Sequence, residues 1–482
     1  MKPNKSKYLL HLILFIPPLL WVLYRLSTVD VTHDEAWSFR MAYQQYYNAM
    51  LGTANNHWLN TFFIFIEAKI LGTEIWKIRL HSLGALILLA YYLHKIALRI
   101  PNIWMGCLAI VLVTYNTYTM DFFSIARGYG LGLAFGMAAT YYIVYQSEGV
   151  KNRLRIYALL CLASISVYTE LYLLLGYGLY ELLFVFKLQI FTKKQFINYI
   201  KPLWLPFLFL IAAIANILYI KKCGDLNEGM SNGFFQDTLG VFIERAFEPW
   251  FYSHTAVIIG SVLFIFLILS MATPLRYRID SKSKKLGILL LVIFGIQNLF
   301  FYAFGTPYSF GRTALFYIVP LVVGISMFIG ELRIKPNLQF IPAALFCILF
   351  FGHVSYAIMH KNIHTTQEWW MGQGVSKAVD KIATIEKRDF SKLSILFYEG
   401  HNGDYDNYYM RIPNQKIIKN KSRIHPFSFQ EDFNKIGGNP NTFDYILLPD
   451  YDSILNSTIQ FQLYDSIEYY PDMKTWLLQK KF

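Results

Sequence analysis

YLLHLILFIPPLLWVLYRL (residues 8–26) is an apolar run of bilayer-crossing length, and VDVTHDEAW (residues 29–37) follows it almost at once. Lys2, Lys5 and Lys7 precede the run, and basic residues beside a span stay cytoplasmic, so His33, Asp34 and Glu35 emerge on the opposite face. No small-x-small cleavage site follows Leu26, so the run reads as an uncleaved anchor. Acid side chains fixed beside a bilayer point to proton or metal chemistry on a substrate that arrives in the lipid.

Working outward, the 482 residues are 55% hydrophobic and 16% charged, against roughly 45–50% and about 25% in soluble domains. Further apolar stretches fall at 79–98, 103–120, 128–146, 156–168, 170–190, 203–220, 256–274, 286–304, 312–330 and 338–357, the fifth span (156–168) being short. The expectation is an α-helical polytopic membrane protein of about 11 transmembrane helices. The six segments on the N-terminal side of the membrane hold nineteen Lys and Arg, while the longer opposite loops hold far fewer. That places the N-terminus inside and, with an odd number of spans, the C-terminus outside, in a cytoplasmic (inner) membrane. The net charge of +13 is spread over these inner loops; it reads as topology with some attraction to anionic lipid, not as a nucleic-acid footprint.

Residues 1–357 read as the transmembrane domain. Its first outer loop, 27–78, contains apolar patches such as TFFIFI (61–66), which fit short interfacial helices. The outer loop 221–255, with Gly224, Gly229, Gly233, Asn227 and Asn232, reads as a flap over whatever the bundle binds. Residues 358–482 have the composition of a soluble extracytoplasmic domain, expected to be α/β: 393–398 and 443–448 look like buried strands and 368–388 like a helix. Cys107, Cys161 and Cys347 fall in apolar spans and Cys223 in an outer loop, so the C-terminal region has no disulfide framework or zinc knuckle. No repeat joins the halves of the bundle, which weighs against a transporter.

Five constellations carry possible chemistry. Asp34 and Glu35, with His33 before them, are either acids for catalysis or simply the favoured first turn of a helix. Asn55, Asn56 and His57 are either a polar turn capping a surface helix or contacts to a substrate anion or hydroxyl. In DFFSIARGY (121–129), Arg127 either pairs with Asp121 or grips phosphate, a ligand its planar fork suits. In YSFGR (308–312), Arg312 is an interfacial anchor or a second phosphate ligand. Glu170 stands where the fifth and sixth spans turn, and a carboxyl there needs a polar cavity.

Carboxylates, an imidazole and two arginines at one outer mouth suit transfer of a sugar from a lipid phosphate to a hydroxyl or amine. A carboxylate takes or orients the acceptor proton while fixed guanidiniums stabilise the charge that develops on phosphate. The residues also resemble a family. An acidic pair heading a long first outer loop (Asp34, Glu35), a His-Pro-Leu-like element matched in part by His57-Trp58-Leu59, Arg127-Gly128-Tyr129 at the head of span four, and Arg312 with Pro320 resemble the type C glycosyltransferase superfamily. Within it, the dolichyl-phosphate-mannose protein mannosyltransferases and lipid A aminoarabinose transferases are the groups most alike.

That resemblance covers the bundle. It implies a polyprenyl-phosphate sugar donor, inversion, and Asp34 as catalytic base beside Glu35. Substrate contacts are then expected at His33, Asn56, His57, Asp121, Arg127, Tyr129, Glu170 and Arg312. The acceptor is a lipid, glycan or protein, and a divalent metal ion near Asp34 is compatible with the superfamily. A non-enzymatic transporter or flippase of lipid-linked sugars is the rival; it needs charges or broken helices at mid-membrane, whereas these charges gather at the outer ends. A membrane scaffold leaves the two arginines unexplained.

Overall fold

The computed structural model describes residues 5–44, 51–146, 149–185, 197, 200–224, 231–246, 254–272, 282–332, 338, 340–359, 375–385, 394–398, 423–427, 444–449, 460–470 and 475–481. The chain starts with α1 (Lys5–Thr28), which contains Pro17 and Pro18; neighbouring helices make such prolines tolerable in a membrane. After a tight bend comes α2 (His33–Gln44). Its start is written in Thr32-x-x-Glu35: the Thr32 hydroxyl accepts the Glu35 N–H at 3.2 Å, and the Glu35 carboxylate accepts the Thr32 N–H at 2.9 Å. This is a reciprocal capping box.

Helix α3 (Trp58–Ile70) packs on α2, and a 3₁₀ turn, Lys77–Arg79, leads into α4 (Leu80–Ala97). The segment expected as the first outer loop thus holds the short helices α2 and α3 among its described residues. They are not loose on the surface: Ala36, Phe39, Asn60, Thr61 and Ile64 are buried. Next, α5 (Ile103–Thr114) and α6 (Thr117–Ser124) are each capped by an asparagine, Asn102 and Asn116, and meet at 58°.

Helix α7 (Gly128–Tyr145) is apolar and buried nearly all round, packed by α4 and α8 (Val150–Ser166). Such a helix belongs in a bundle's interior. A 3₁₀ turn, Tyr168–Glu170, joins α8 to α9 (Leu171–Tyr180), which runs on into a π-helical turn, Glu181–Val185. Then α10 (Trp204–Cys223) turns Phe207, Leu208, Ile211, Ile214 and Leu218 outward, a face suited to lipid. It ends at Gly224 in the left-handed conformation (φ +81°). The bundle closes with α11 (Val241–Ala246), α12 (His254–Ala272), α13 (Lys282–Phe304), α14 (Ile318–Glu331) and α15 (Ile341–Met359).

Helical backbone covers each of the eleven apolar stretches in whole or part. Among the described residues, however, five helices are long and apolar enough to cross a membrane, or six when the bent α5–α6 pair counts as one span. The others are shorter, or rest among neighbours as α7 does. The chain is a polytopic membrane protein, and five or six of its eleven expected spans meet this measure among the described residues.

The flap expected at 221–255 is, where described, packed down. A π-helical turn, Phe234–Gly240, buries Phe234 and Leu239. The Asp237 carboxylate accepts the N–H groups of Asn232 and Gly233, and the Thr238 hydroxyl donates to the Ser309 carbonyl at 2.8 Å. Asn227 and Gly229 lie outside the described residues.

Toward the C-terminus, α16 (Val375–Ile385) precedes a five-stranded sheet: β1 (Ser394–Tyr398), β2 (Arg423–Phe427), β3 (Tyr445–Pro449), β4 (Tyr464–Tyr470) and β5 (Thr475–Lys480). The order is β2-β1-β3-β5-β4, with β1 parallel to β2 and β3, and β5 antiparallel to β3 and β4. Two of these strands coincide with the two expected runs. Helix α16 occupies the middle of the expected 368–388.

Candidate active site

Successive residues on a helix point about 100° apart, and the acidic pair at the head of α2 is divided by that rotation. Glu35 turns into the protein and is fully buried. Its Oε1 accepts Arg79 Nε at 2.7 Å and the Ala126 N–H at 2.6 Å; its Oε2 accepts Arg79 Nη2 at 2.7 Å and the Thr32 N–H. Arg79, equally buried, gives its remaining N–H groups to the carbonyls of Leu26, Val29 and Asp30. Glu35 is therefore the clamp that sews the bend after α1 to the heads of α4 and α7, and its oxygens are already engaged.

Asp34 turns the other way. Its Oδ2 lies 3.0 Å from Arg127 Nη2 and 3.8 Å from Arg312 Nη2, and its Oδ1 accepts Asn55 Nδ2 at 3.4 Å. The two arginines differ. Arg127 has no exposed surface and spends its fork on the protein: Nη1 donates to the Asp34 carbonyl and Ser38 Oγ, each at 3.2 Å, and Nη2 donates to Asn55 Oδ1 at 2.5 Å. The Arg312 side chain keeps 21% of its surface exposed. It rides on a 3₁₀ segment, Gly311–Tyr317, that begins at Gly311 with φ +51°, a conformation glycine adopts without strain. The Thr313 hydroxyl accepts the Phe310 N–H at 2.7 Å and fixes this entry.

His57 precedes α3 and is buried. Its Nδ1 sits 3.0 Å from the Ser166 carbonyl, its ring meets Tyr129 edge to face at 4.9 Å, and its Nε2 has no hydrogen-bond partner. Burial, then the charge of Arg127, with Arg312 adding to it and Asp34 opposing, holds this imidazole well below its usual range, so it stays neutral. The crossing is close: a Cβ on Gly128 would stand 2.0 Å from the Ser166 oxygen and 2.8 Å from His57 Cβ. No side chain fits at 128.

Asn56 and Asn55 do not cap α3; its N-cap is His57, without a side-chain bond. Asn56 Oδ1 instead accepts the Thr61 hydroxyl at 2.9 Å, and Asn55 serves Arg127 and Asp34. Tyr129 is buried between His57 and Phe122. Glu170 is buried against the glycine face of α7, its Oε1 facing Gly132 and its Oε2, toward Gly136, without a hydrogen-bond partner. Asp121, considered as a partner for Arg127, bonds Arg25 Nη2 at 2.6 Å, both buried, and so ties α6 to α1. The side chain of His33, first residue of α2, lies outside the described residues.

Arg25, Ser38, Arg79 and Ser166 escaped sequence reading. For the two arginines the visible sign was a guanidinium at the end of an apolar span, Arg25 in 8–26 and Arg79 in 79–98, which is built in there only with a carboxylate or carbonyl partner that the spacing does not name. Among the described residues no group of three or more His, Cys, Asp or Glu is placed to hold a metal ion. Asp34 meets guanidiniums, whose charge repels a cation.

No protein-family model matches the sequence, and no curated protein matches it. Among solved structures, two crystal structures of ArnT from Cupriavidus metallidurans do match. The one bound to undecaprenyl phosphate aligns at 12% identity and the apo state at 11%, each over 97% of both chains with a TM-score of 0.50. Identity this low speaks for the fold. The chain shares its architecture with ArnT.

Proposed function

We propose that this chain is a membrane glycosyltransferase that moves a sugar from a polyprenyl-phosphate donor to a hydroxyl or amine acceptor on the outer face of the cytoplasmic membrane, with inversion. One observation carries the reading: a buried carboxylate, Asp34, held beside an accessible guanidinium, Arg312, at 3.8 Å. A bound undecaprenyl phosphate in a structure of the same architecture agrees with it.

In this reaction the acceptor O–H or N–H hydrogen-bonds to Asp34. The acceptor atom forms its bond to the anomeric carbon as the bond from that carbon to phosphate oxygen breaks. The electron pair leaves with the phosphate, whose growing charge Arg312 stabilises, and the proton passes to Asp34. Arg127 acts one step back, fixing the Asp34 carboxylate with Asn55. Glu35 acts through Arg79, holding the loop that carries Asp34. Tyr129, Asn56 and Glu170 shape the wall, and Asp121 braces α6. Residues 358–482 are proposed as an outward unit that contacts the acceptor.

The test uses purified protein in detergent, undecaprenyl phosphate as binding probe, and a lipid extract of the host membranes as donor and acceptor pool, with products read by mass spectrometry. Wild type is expected to bind the probe and form a glycosidic product; Asp34→Asn is expected to bind the probe and form none. Product formation by the Asn variant sinks the assignment, and binding without any new product in the wild type favours a flippase.

A further inference from the structure

His57 carries one ring nitrogen that the fold itself does not use. A backbone carbonyl only accepts, so the 3.0 Å contact between Nδ1 and the Ser166 oxygen fixes a proton on Nδ1. In the neutral ring Nε2 is then a bare lone pair. This atom is buried and has no hydrogen-bond partner. A buried acceptor left unmade is destabilising, and a ligand that makes the bond removes that cost. Around the ring stand the charges of Arg127, Arg312 and Asp34, the edge of Tyr129, and Gly128, which allows no side chain between. The two guanidiniums oppose a second proton on the ring.

Resting on the transfer reaction above, we propose that His57 Nε2 accepts a hydrogen bond from a hydroxyl or amine of the sugar or the acceptor, and takes no part in holding the phosphate. A phosphate oxygen offers a lone pair to a lone pair, which repels. A hydroxyl offers the proton this atom lacks. The mouth is thus split by hydrogen-bond polarity: Arg312 donates to the anion, and His57 accepts from the neutral polar group beside it. His57 sets which substrates seat, because a ligand lacking a donor there leaves the lone pair buried and unmet, and sites built to hydrogen-bond a hydroxyl reject analogues without one.

Two variants separate this from a packing role. His57→Leu fills the space without an acceptor. His57→Gln offers an amide N–H to the Ser166 carbonyl and an amide oxygen in the place of Nε2. Undecaprenyl phosphate binding is expected to stay within twofold of wild type in both, while Arg312→Gln weakens it at least tenfold. Transfer from the membrane lipid extract is expected to fall at least thirtyfold in His57→Leu and to recover at least fivefold of that loss in His57→Gln. Hydrolysis of the donor with acceptor-free extract tells the two hydroxyl sources apart: it falls in step with transfer if the sugar is the partner, and survives if the acceptor is.

The proposal is overturned if His57→Leu weakens undecaprenyl phosphate binding as Arg312→Gln does, if its transfer matches wild type, or if Gln restores nothing beyond Leu. A wild type that neither binds the probe nor forms product removes the transfer reaction itself, and this proposal with it.

Discussion

Helices α8 and α9 carry a buried charged site at each end, and the two are built on opposite principles. At the start of α8, Arg153 donates Nε and Nη2 to the two oxygens of Glu181 at 2.8 and 2.7 Å, and the hydroxyls of Tyr157 and Tyr177 donate to the same carboxylate at 2.8 Å each. Each carboxylate oxygen has two donors, and nothing is left for a ligand. At the far end, about 20 Å along the helix, Ser166 and Glu170 face a site with spare capacity: Nε2 of His57 and Oε2 of Glu170 lack partners, and Arg312 keeps open surface beside Asp34. A buried ion pair is by itself weak evidence of function. The unfilled valences distinguish the end where chemistry is proposed.

The largest effect expected of that contrast lies at Asp34. Asp34→Asn keeps the size and loses the charge, and is expected to lower transfer from the host lipid extract by about 10³-fold or more, with elution and melting temperature near wild type. A drop of less than tenfold would place the proton acceptor elsewhere. Arg312→Gln should follow at about 10²-fold, in keeping with the loss of one charge-stabilising donor. It should also weaken undecaprenyl phosphate binding, read by tryptophan quenching in detergent. Equal binding by wild type and variant would remove the phosphate from this arginine.

At the filled end the expected effect is on stability. Glu181→Gln removes the charge paired with the buried Arg153, at a cost of about 3–5 kcal/mol. The melting temperature should fall by several degrees, while the turnover of protein that remains folded is unchanged. Turnover that falls at unchanged melting temperature would erase the distinction between the ends. Glu35→Gln belongs with this class despite its neighbour, since Arg79 already fills its carboxylate.

Much of the frame was legible because apolar runs and loop charges are local signals. Each expected stretch holds helix, and the two strand-like runs near the C-terminus became β1 and β3. Strands β4 and β5 were not read: YDSIEYY (464–470) mixes charge with aromatics, and its place comes from pairing with β5 across a bulge at Ser466 and Glu468. The site was legible in its members and illegible in its wiring. Asp34 and Glu35 are adjacent in sequence, and only the helix rotation and the partners Arg127 and Arg79, 93 and 44 residues away, separate their parts. The Arg25 to Asp121 bond spans 96 residues and left no trace in local spacing.

The smallest expected effect is the one that most sharpens the contrast, because its sign reverses between the ends. Glu170 and Glu181 are both buried carboxyls on the same stretch of chain, so replacing each with leucine is the same chemical change. At 181 it removes the shared acceptor of four donors, from Arg153, Tyr157 and Tyr177, which destabilises. At 170 it removes a polar group whose Oε2 has no partner, and relieving that burial is worth about 1–3 kcal/mol. Leucine also packs against Leu173, a neighbour on the Gly136 side. Glu170→Leu is therefore expected to raise the melting temperature by a few degrees while lowering transfer, the trade expected where a site keeps an unsatisfied group for its ligand. Destabilisation at both positions would show that Glu170 is held by the fold, and would take it out of the site.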